Sequence, residues 1–484
     1  MRYLMSLGKE LAAPRQPALG GAAGAAAQKF DLRNISILAD RLGDPHRASP
    51  CVHIAGTNGK GSTAAMLDSI LRAVGLRTGL YTSPHLARIN ERIRVAGEDI
   101  SDANFAATFS RVHAFIEVLL ASGSLAAHPT YFECLTAMAF DFFASGCHPE
   151  RTGGGCHPER SEGSVFPASH CAGVDFAIYE VGMGGRLDAT NLVVPEVAII
   201  TQIDFDHESF LGHSIEEIAA EKAGIIKPGA WVVSSAERPE ARGVIARRCA
   251  EQHARLVEVD TACAVENLRA ENGCYRADVS HAHSKHRIAL ALPLPGRYQV
   301  RNALAALAAA RLLAERGFPI DDAAIARGIA LTYWPGRLEL LQQNPAVFLD
   351  GTHNPAGARA LLAFWEENFS GRCIHLVYGA MRDKAVDEIA GLLFPFVSSV
   401  TLTEPGQPRA ITAAELARIA SHHLPPTGRL EVIPAPAEAL EHAISLAAPA
   451  DAVFATGSLY LAGDLRRYWL SRSVETQPAI RSVS

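Results

Sequence analysis

One lysine among small residues carries the first chemistry in this chain. Residues 53–63 read His53-Ile54-Ala55-Gly56-Thr57-Asn58-Gly59-Lys60-Gly61-Ser62-Thr63. The glycines let backbone N–H groups turn toward one point, Lys60 adds a cation, and Ser62 offers a hydroxyl suited to Mg²⁺. Together they make an anion site of the kind that holds phosphate groups. The usual phosphate loop has a glycine five residues before Gly59, where this chain has Ile54. The stretch is therefore a variant, with Gly56 starting a tighter loop. A Gly-rich turn that binds nothing would not need lysine and hydroxyls in that order.

Other polar groups stand just after apolar runs. They are Ser83 and His85, Glu180 and Asp188, then Asp206 and His207. Glu180 ends an otherwise apolar run, and a buried carboxylate needs a partner. Ser83 before Pro84 suits a turn cap as well as a ligand. His207 suits an ordinary loop. Lys222 falls near a helix C-terminus, where the dipole alone favours a cation. Mg²⁺ needs few protein oxygens when phosphate and water complete its shell, so these groups and the loop fit a Mg²⁺–nucleotide site. Farther on, Asp350-Gly351-Thr352-His353-Asn354-Pro355 follows an apolar run. An N-cap explains Asn354 and a first-turn position explains Pro355, but Asp350 and His353 are left over. Arg337 lies in the turn Trp334-Pro335-Gly336-Arg337, and Gly457-Ser458 follows the last apolar run. An arginine at a hinge can reach phosphates from a second domain.

The elements that must position these groups alternate. Apolar periodicity predicts helices over 30–42, from the loop to Val74, over 102–120 and over 130–144. Strands fit 50–55, 77–82, 174–181, 196–201 and 231–234. Ser214-Ile215-Glu216-Glu217 is a capping box whose helix stops at Gly224. A helix fits 239–253, residues 256–292 look β-rich, and an Ala-rich helix fits 301–316. Beyond the Trp334–Arg337 turn, strands fit 347–350, 373–378, 397–403, 430–433 and 452–456, with helices between and after. Such alternation implies parallel sheets in both parts, with ligands at the strand C-terminal ends. The expected division is 1–334, a linker at 335–345, and 346–484.

Composition removes other classes. The chain has 484 residues and net charge −6, which leaves no basic footprint for nucleic acid. Nine cysteines, an odd number, argue for a reducing cytoplasm rather than a disulfide framework. No run is long and apolar enough to span a membrane, and the first ten residues do not read as a signal peptide. Residues 11–27 read as a flexible loop and 145–172 as a flexible insertion. The insertion holds Cys147-His148 and Cys156-His157, then His170-Cys171. These invite a zinc reading, but no closely paired Cys ligand unit is present.

Taken together, these motifs resemble the Mur ligase superfamily, and within it the bacterial folylpolyglutamate synthase/dihydrofolate synthase family. The resemblance runs from about residue 30 to 465, interrupted by 145–172. It rests on HIAGTNGKGST at 53–63, YTSPHL at 81–86, TYFE at 130–133 and EVGMGGRLDATN at 180–191. ITQIDFDH at 200–207, EKAGIIKP at 221–228 and LPGRYQVRNALAA at 294–306 continue it. WPGRLE at 334–339, DGTHNP at 350–355 and TGSLYLAG at 456–463 complete it. Thr352 and Met183 are small departures.

The resemblance implies an α/β fold: an N-terminal P-loop-type ATPase domain, the Mur ligase central domain, plus a C-terminal Rossmann-like domain that binds glutamate. It implies an ATP-dependent ligase joining L-glutamate to dihydropteroate and folates through an acyl phosphate. A ligase for folates only, or for cell-wall precursors, is the alternative; a nucleotide-sensing switch is a rival from another class. Gly56, Thr57, Asn58, Gly59, Lys60, Gly61 and Ser62 would hold ATP, with Asn302, Arg337 and Asp350 reaching it across the cleft. Ser83, Glu180 and His207 would serve two Mg²⁺ ions, with K⁺ a further candidate. Lys60, Lys222, His207 and Glu180 would be catalytic, Lys222 as a carbamate (N6-carboxylysine). Thr130, Tyr131, Phe132 and Glu133 would line the pteroate pocket, Leu187 would bind substrate, and His353 and Ser458 would lie near glutamate. A cytoplasmic monomer with small-molecule substrates is expected.

Overall fold

A computed structural model describes residues 31–145, 173–271, 273–282 and 286–475. The zinc reading of the Cys/His-containing insertion and the flexible reading of 11–27 lie outside the described residues.

The first domain opens with α1 (Arg33–Arg41), β1 (Cys51–Ala55), α2 (Lys60–Ala73) and β2 (Thr78–Tyr81). The ribbon β3 (Ile93–Val95) and β4 (Glu98–Asp99) follows, then α3 (Asp102–Ala121) and α4 (Tyr131–Ser145). The chain returns as β5 (Phe176–Glu180) and β6 (Val197–Ile200), then α5 (Ile215–Ala223), β7 (Trp231–Ser234), α6 (Pro239–Glu251) and β8 (Arg255–Glu258). The sheet order is β4-β3-β2-β5-β1-β6-β7-β8. From β2 to β8 the strands run parallel, and the β3–β4 ribbon closes one edge antiparallel.

β1 is buried along its whole length. Successive side chains point to opposite faces, so both faces must be apolar. Val52 and Ile54 join a core with Met66, Leu67 and Ile70 of α2. Cys51 joins another with Leu135 and Met138 of α4. The C-terminal end of β1 is thereby held at the centre of the sheet edge.

The limits of α5 follow the capping-box expectation. Ser214 Oγ accepts from Glu217 N at 3.2 Å, and the Glu217 carboxylate accepts from Ser214 N at 3.2 Å. Gly224 follows the last residue, which leaves Lys222 in the final turn. The β-rich stretch divides: β8 joins the main sheet. A separate antiparallel sheet is formed by β9 (Cys263–Glu271), β10 (Cys274–His281) and β11 (Arg287–Leu292). The Ala-rich helix α7 (Tyr298–Glu315) starts three residues earlier than its alanine pattern suggests. Gln299 and Asn302 therefore stand one turn apart at its start, where Asn302 Nδ2 donates to Gln299 Oε1 at 2.8 Å. α8 (Asp322–Ala330) completes this domain.

The second domain contains β12 (Glu339–Gln343), β13 (Ala346–Leu349), α9 (Pro355–Asn368), β14 (Ile374–Tyr378) and α10 (Val386–Leu393). Then come β15 (Ser399–Leu402), α11 (Ala413–Ala420), β16 (Arg429–Val432), α12 (Pro436–Leu446), β17 (Ala452–Thr456) and α13 (Leu459–Glu475). The order is β12-β13-β17-β14-β15-β16, parallel except for β12. β12 falls within the span expected to be linker. It pairs with β13 and forms the edge of the second sheet, so the connection is shorter than 335–345.

Candidate active site

Gly56 leaves β1 with φ 151°, and Gly59 stands before α2 with φ 87°. A Cβ at Gly56 would lie 1.8 Å from Thr201 Oγ1, and one at Gly59 would lie 2.3 Å from Asn302 Oδ1. Neither position accepts another residue. The loop is tied to the end of β6. Thr57 N donates to Gln202 O at 2.7 Å, Thr201 Oγ1 to Asn58 O at 2.7 Å, and Thr57 Oγ1 to Asp204 O at 2.9 Å.

Two lysines converge on this loop. Lys60 Nζ donates to Gly56 O at 2.9 Å and to Thr57 O at 3.2 Å. Lys222 Nζ donates to the same Gly56 O at 2.8 Å. Burial pulls Lys222 down to about 7, and the neighbouring Lys60 charge adds to it. Burial lowers Lys60 as well, opposed by Glu180 and Asp206.

Glu180 ends β5, is 5% exposed, and accepts Ser83 N at 3.1 Å. Burial raises its carboxyl above the usual range, while Lys60 works against that shift. His207 follows β6, with Nε2 3.7 Å from Asp206 Oδ2. Burial and then the Lys384 charge pull it down to about 3, so its ring is neutral at physiological pH. The Ser83 hydroxyl, the Glu180 carboxylate and the neutral imidazole all line one cleft. A buried carboxylate raised by desolvation, beside a neutral nitrogen and a hydroxyl, fits a divalent cation that also binds phosphate.

The second domain closes the cleft from the other side. Asn354 caps α9 by accepting Gly357 N at 2.8 Å. Its amide also exchanges hydrogen bonds with Asn58. Asn354 Nδ2 donates to Asn58 Oδ1 at 3.0 Å, and Asn58 Nδ2 donates to Asn354 Oδ1 at 3.4 Å. Asn354 is thus both the expected cap and a bridge. His353 Nδ1 donates to Gly351 O at 2.8 Å, a direction forced by the carbonyl acceptor. That turns Nε2 toward Asp206 Oδ2, 3.7 Å away. Lys384 Nζ donates to Asp206 Oδ1 at 2.7 Å. Burial opposes the Asp206 charge, but the His353 contact and Lys384 outweigh it and hold the carboxyl well below the usual range. Arg359 lies 3.5 Å from Asp204. Asp350 accepts Leu338 N at 3.0 Å and Thr352 N at 2.9 Å, fixing the turn that carries Arg337.

The cleft has a volume of about 1140 Å³. It is lined by residues 56–62, Ser83, Glu180, His207, Lys222, Asn302, Arg337, Asp350 and His353. Thr130, Tyr131, Phe132, Glu133, Leu187 and Ser458 are not among its lining residues. Thr130 and Glu133 form a reciprocal cap on α4, at 2.7 and 3.2 Å. Phe132 is half-buried, and a Cβ on Gly182, which does line the cleft, would lie 2.5 Å from its ring. Ser458 accepts Leu461 N at 3.0 Å and so caps α13. Lys384 is a site residue beyond those expected from the sequence. The available signal was Arg382-Asp383-Lys384 shortly after β14, where a parallel sheet places functional groups.

The fold and this cleft define an ATP-dependent, amide-bond-forming ligase on the Mur ligase plan. The Mur ligase middle domain matches residues 165–310, and the Mur ligase glutamate ligase domain matches residues 336–459. The chain is 34% identical to the dihydrofolate synthase/folylpolyglutamate synthase of Bacillus subtilis, over 91% of this chain and 95% of that one. The crystal structure of Mycobacterium tuberculosis folylpolyglutamate synthase with ADP and AMPPCP superposes with TM-score 0.79 and 34% identity, covering 92% of this chain and 96% of that one. The Escherichia coli FolC structure with DHPP and ADP superposes with TM-score 0.76 and 30% identity, covering 92% and 94%. The chain belongs to the dihydrofolate synthase/folylpolyglutamate synthase family. Among the described residues, no helix is long and apolar enough to cross a membrane.

Proposed function

We propose that this chain uses ATP to join L-glutamate to dihydropteroate and to folates, acting as a monomer in the cytoplasm. The observation that carries this reading is the convergence of Lys60 and Lys222 on Gly56, with Glu180 and His207 beside them. Asn354, His353 and Arg337 face them from the second domain.

The chemistry follows from these positions. Backbone N–H groups at the start of α2, with Lys60, orient the polyphosphate and stabilise charge that grows on the γ-phosphoryl group. The substrate carboxylate attacks the γ-phosphorus, ADP leaves, and an acyl phosphate forms. The glutamate amine then attacks the acyl carbon and phosphate departs, leaving an amide. Ser83, Glu180 and His207 would hold Mg²⁺, which supplies charge neutralisation of the polyphosphate. Closure through Asn58 and Asn354 excludes water that would hydrolyse the acyl phosphate.

A carbamate at Lys222 fits its environment. An amine pulled down to about 7 is substantially neutral near pH 7 and can attack CO₂, losing a proton to give an anionic carbamate. That change would replace a cation crowded by Lys60 with an anion paired to it.

ADP release tests the ligase reading. Sustained release, beyond the single turnover that forms the acyl phosphate, should require dihydropteroate (or a tetrahydrofolate) and glutamate together. Equal release with neither substrate would overturn it. Rates with dihydropteroate against tetrahydrofolate separate a bifunctional enzyme from one acting on folates only.

A further inference from the structure

A second group of ligating side chains lies outside the cleft. Asp387 stands in the first turn of α10, and His422 and His423 belong to the 3₁₀ turn Ser421–His423 after α11. His423 Nε2 lies 2.9 Å from Asp387 Oδ1, and His422 Nε2 lies 3.5 Å from the same oxygen. The two imidazoles are 3.9 Å apart between centroids. One ligand atom from each of the three residues lies within 4.8 Å of the others.

We propose that Asp387, His422 and His423 bind one divalent transition-metal ion of the Zn²⁺ class. Around a tetrahedral ion with bonds of about 2.0–2.1 Å, adjacent donors are ~3.3 Å apart. The two nitrogen–oxygen separations here bracket that spacing. A hydrogen bond to Asp387 needs only one imidazole, whereas an ion uses both. Two imidazoles and one carboxylate select Zn²⁺, Ni²⁺ or Cu²⁺ over Mg²⁺, which prefers oxygen. The side chains of His422 and Asp387 are 62% and 66% exposed, so water can complete the shell. His423 is more enclosed, and its ring lies against Gly391 of α10. A Cβ there would come within 3.2 Å of His423 Cε1, so glycine makes room for the ring.

The position gives the site a consequence. An ion there ties the end of α11 to the first turn of α10. That helix begins two residues after Lys384, which reaches Asp206 across the cleft.

Equilibrium dialysis of the purified full chain against Zn²⁺ tests the proposal, with metal measured by mass spectrometry. Wild type should bind one equivalent more than H422A/H423A, and one more than Asp387→Asn. Any ion held by the cleft, or by the cysteines and histidines of 146–172, is common to all three proteins and cancels. The exposed single variant His422→Ala should weaken the same equivalent and refold like wild type. Equal stoichiometry and affinity across wild type and variants would overturn the proposal.

Discussion

Lys60 and Lys222, 162 positions apart in sequence, donate to one carbonyl oxygen, that of Gly56. The arrangement places a half-buried amine, Lys60, and a buried one, Lys222, beside the phosphate loop, and the second bears the larger cost. Burial and Lys60 together pull Lys222 down to about 7 from its ordinary value of 10.5. Below pH 7, Lys222 is protonated in both folded and unfolded states and the penalty is fully present. Between 7 and 10.5 the unfolded chain binds the extra proton, so stability rises with pH. In CO₂-free buffer, wild type should gain up to about 1.4 kcal/mol per pH unit relative to Lys222→Met. Denaturation midpoints across that window measure it; parallel curves would contradict it. Lys222→Ala should also lose turnover that short carboxylic acids partly restore, while wild-type activity would remove the carbamate.

Asn354 separates capping from bridging. Asn354→Ser keeps an oxygen to accept Gly357 N but loses the amide exchanged with Asn58. Its stability should stay near wild type, while kcat/KM for ATP falls about fivefold, equivalent to a hydrogen bond of ~1 kcal/mol. Asn354→Ala should add about 1 kcal/mol of destabilisation. Wild-type kinetics in the serine variant would refute the bridge.

Lys384 acts on both Asp206 and His207. Replacing it with methionine removes the ammonium that helps hold the Asp206 carboxyl low. The Asp206 and His207 pKa values should both rise, so the acid limb of the kcat/KM profile should move to higher pH. A profile that falls in height without moving would leave Lys384 as packing alone.

The TYFE motif divides into support and contact. Thr130→Ala removes the α4 cap and should lower stability by about 1 kcal/mol without changing KM for dihydropteroate. Phe132→Ala should raise that KM, because an aromatic face beside Gly182 is lost. A raised KM in Thr130→Ala with unchanged stability would return Thr130 to the binding surface.

Much of this molecule was legible before its structure. Largely apolar runs at 50–55 and 174–181 imposed buried parallel strands, and polar groups at or after their ends fell at one sheet edge. The Ser214 capping box fixed the phase of α5 and hence the place of Lys222. What stayed hidden depends on pairing between segments far apart in sequence. β12 reads as linker because its sequence is mixed, and β13 makes it a strand. Asn354 reads as a cap because its second partner, Asn58, lies in the other domain. Thr130 and Glu133 read as binding residues through resemblance, although their spacing is also that of a capping box. Lys384 carries no local signal beyond following a strand.

Isotope transfer tests the central claim most directly. Dihydropteroate labelled with ¹⁸O in its carboxylate is turned over with ATP and L-glutamate, and the released phosphate is analysed by mass. Attack of the carboxylate on the γ-phosphorus places one ¹⁸O in each phosphate formed and leaves the other in the amide. Phosphate free of label, with amide product formed at the same rate, would contradict an acyl phosphate in this cleft.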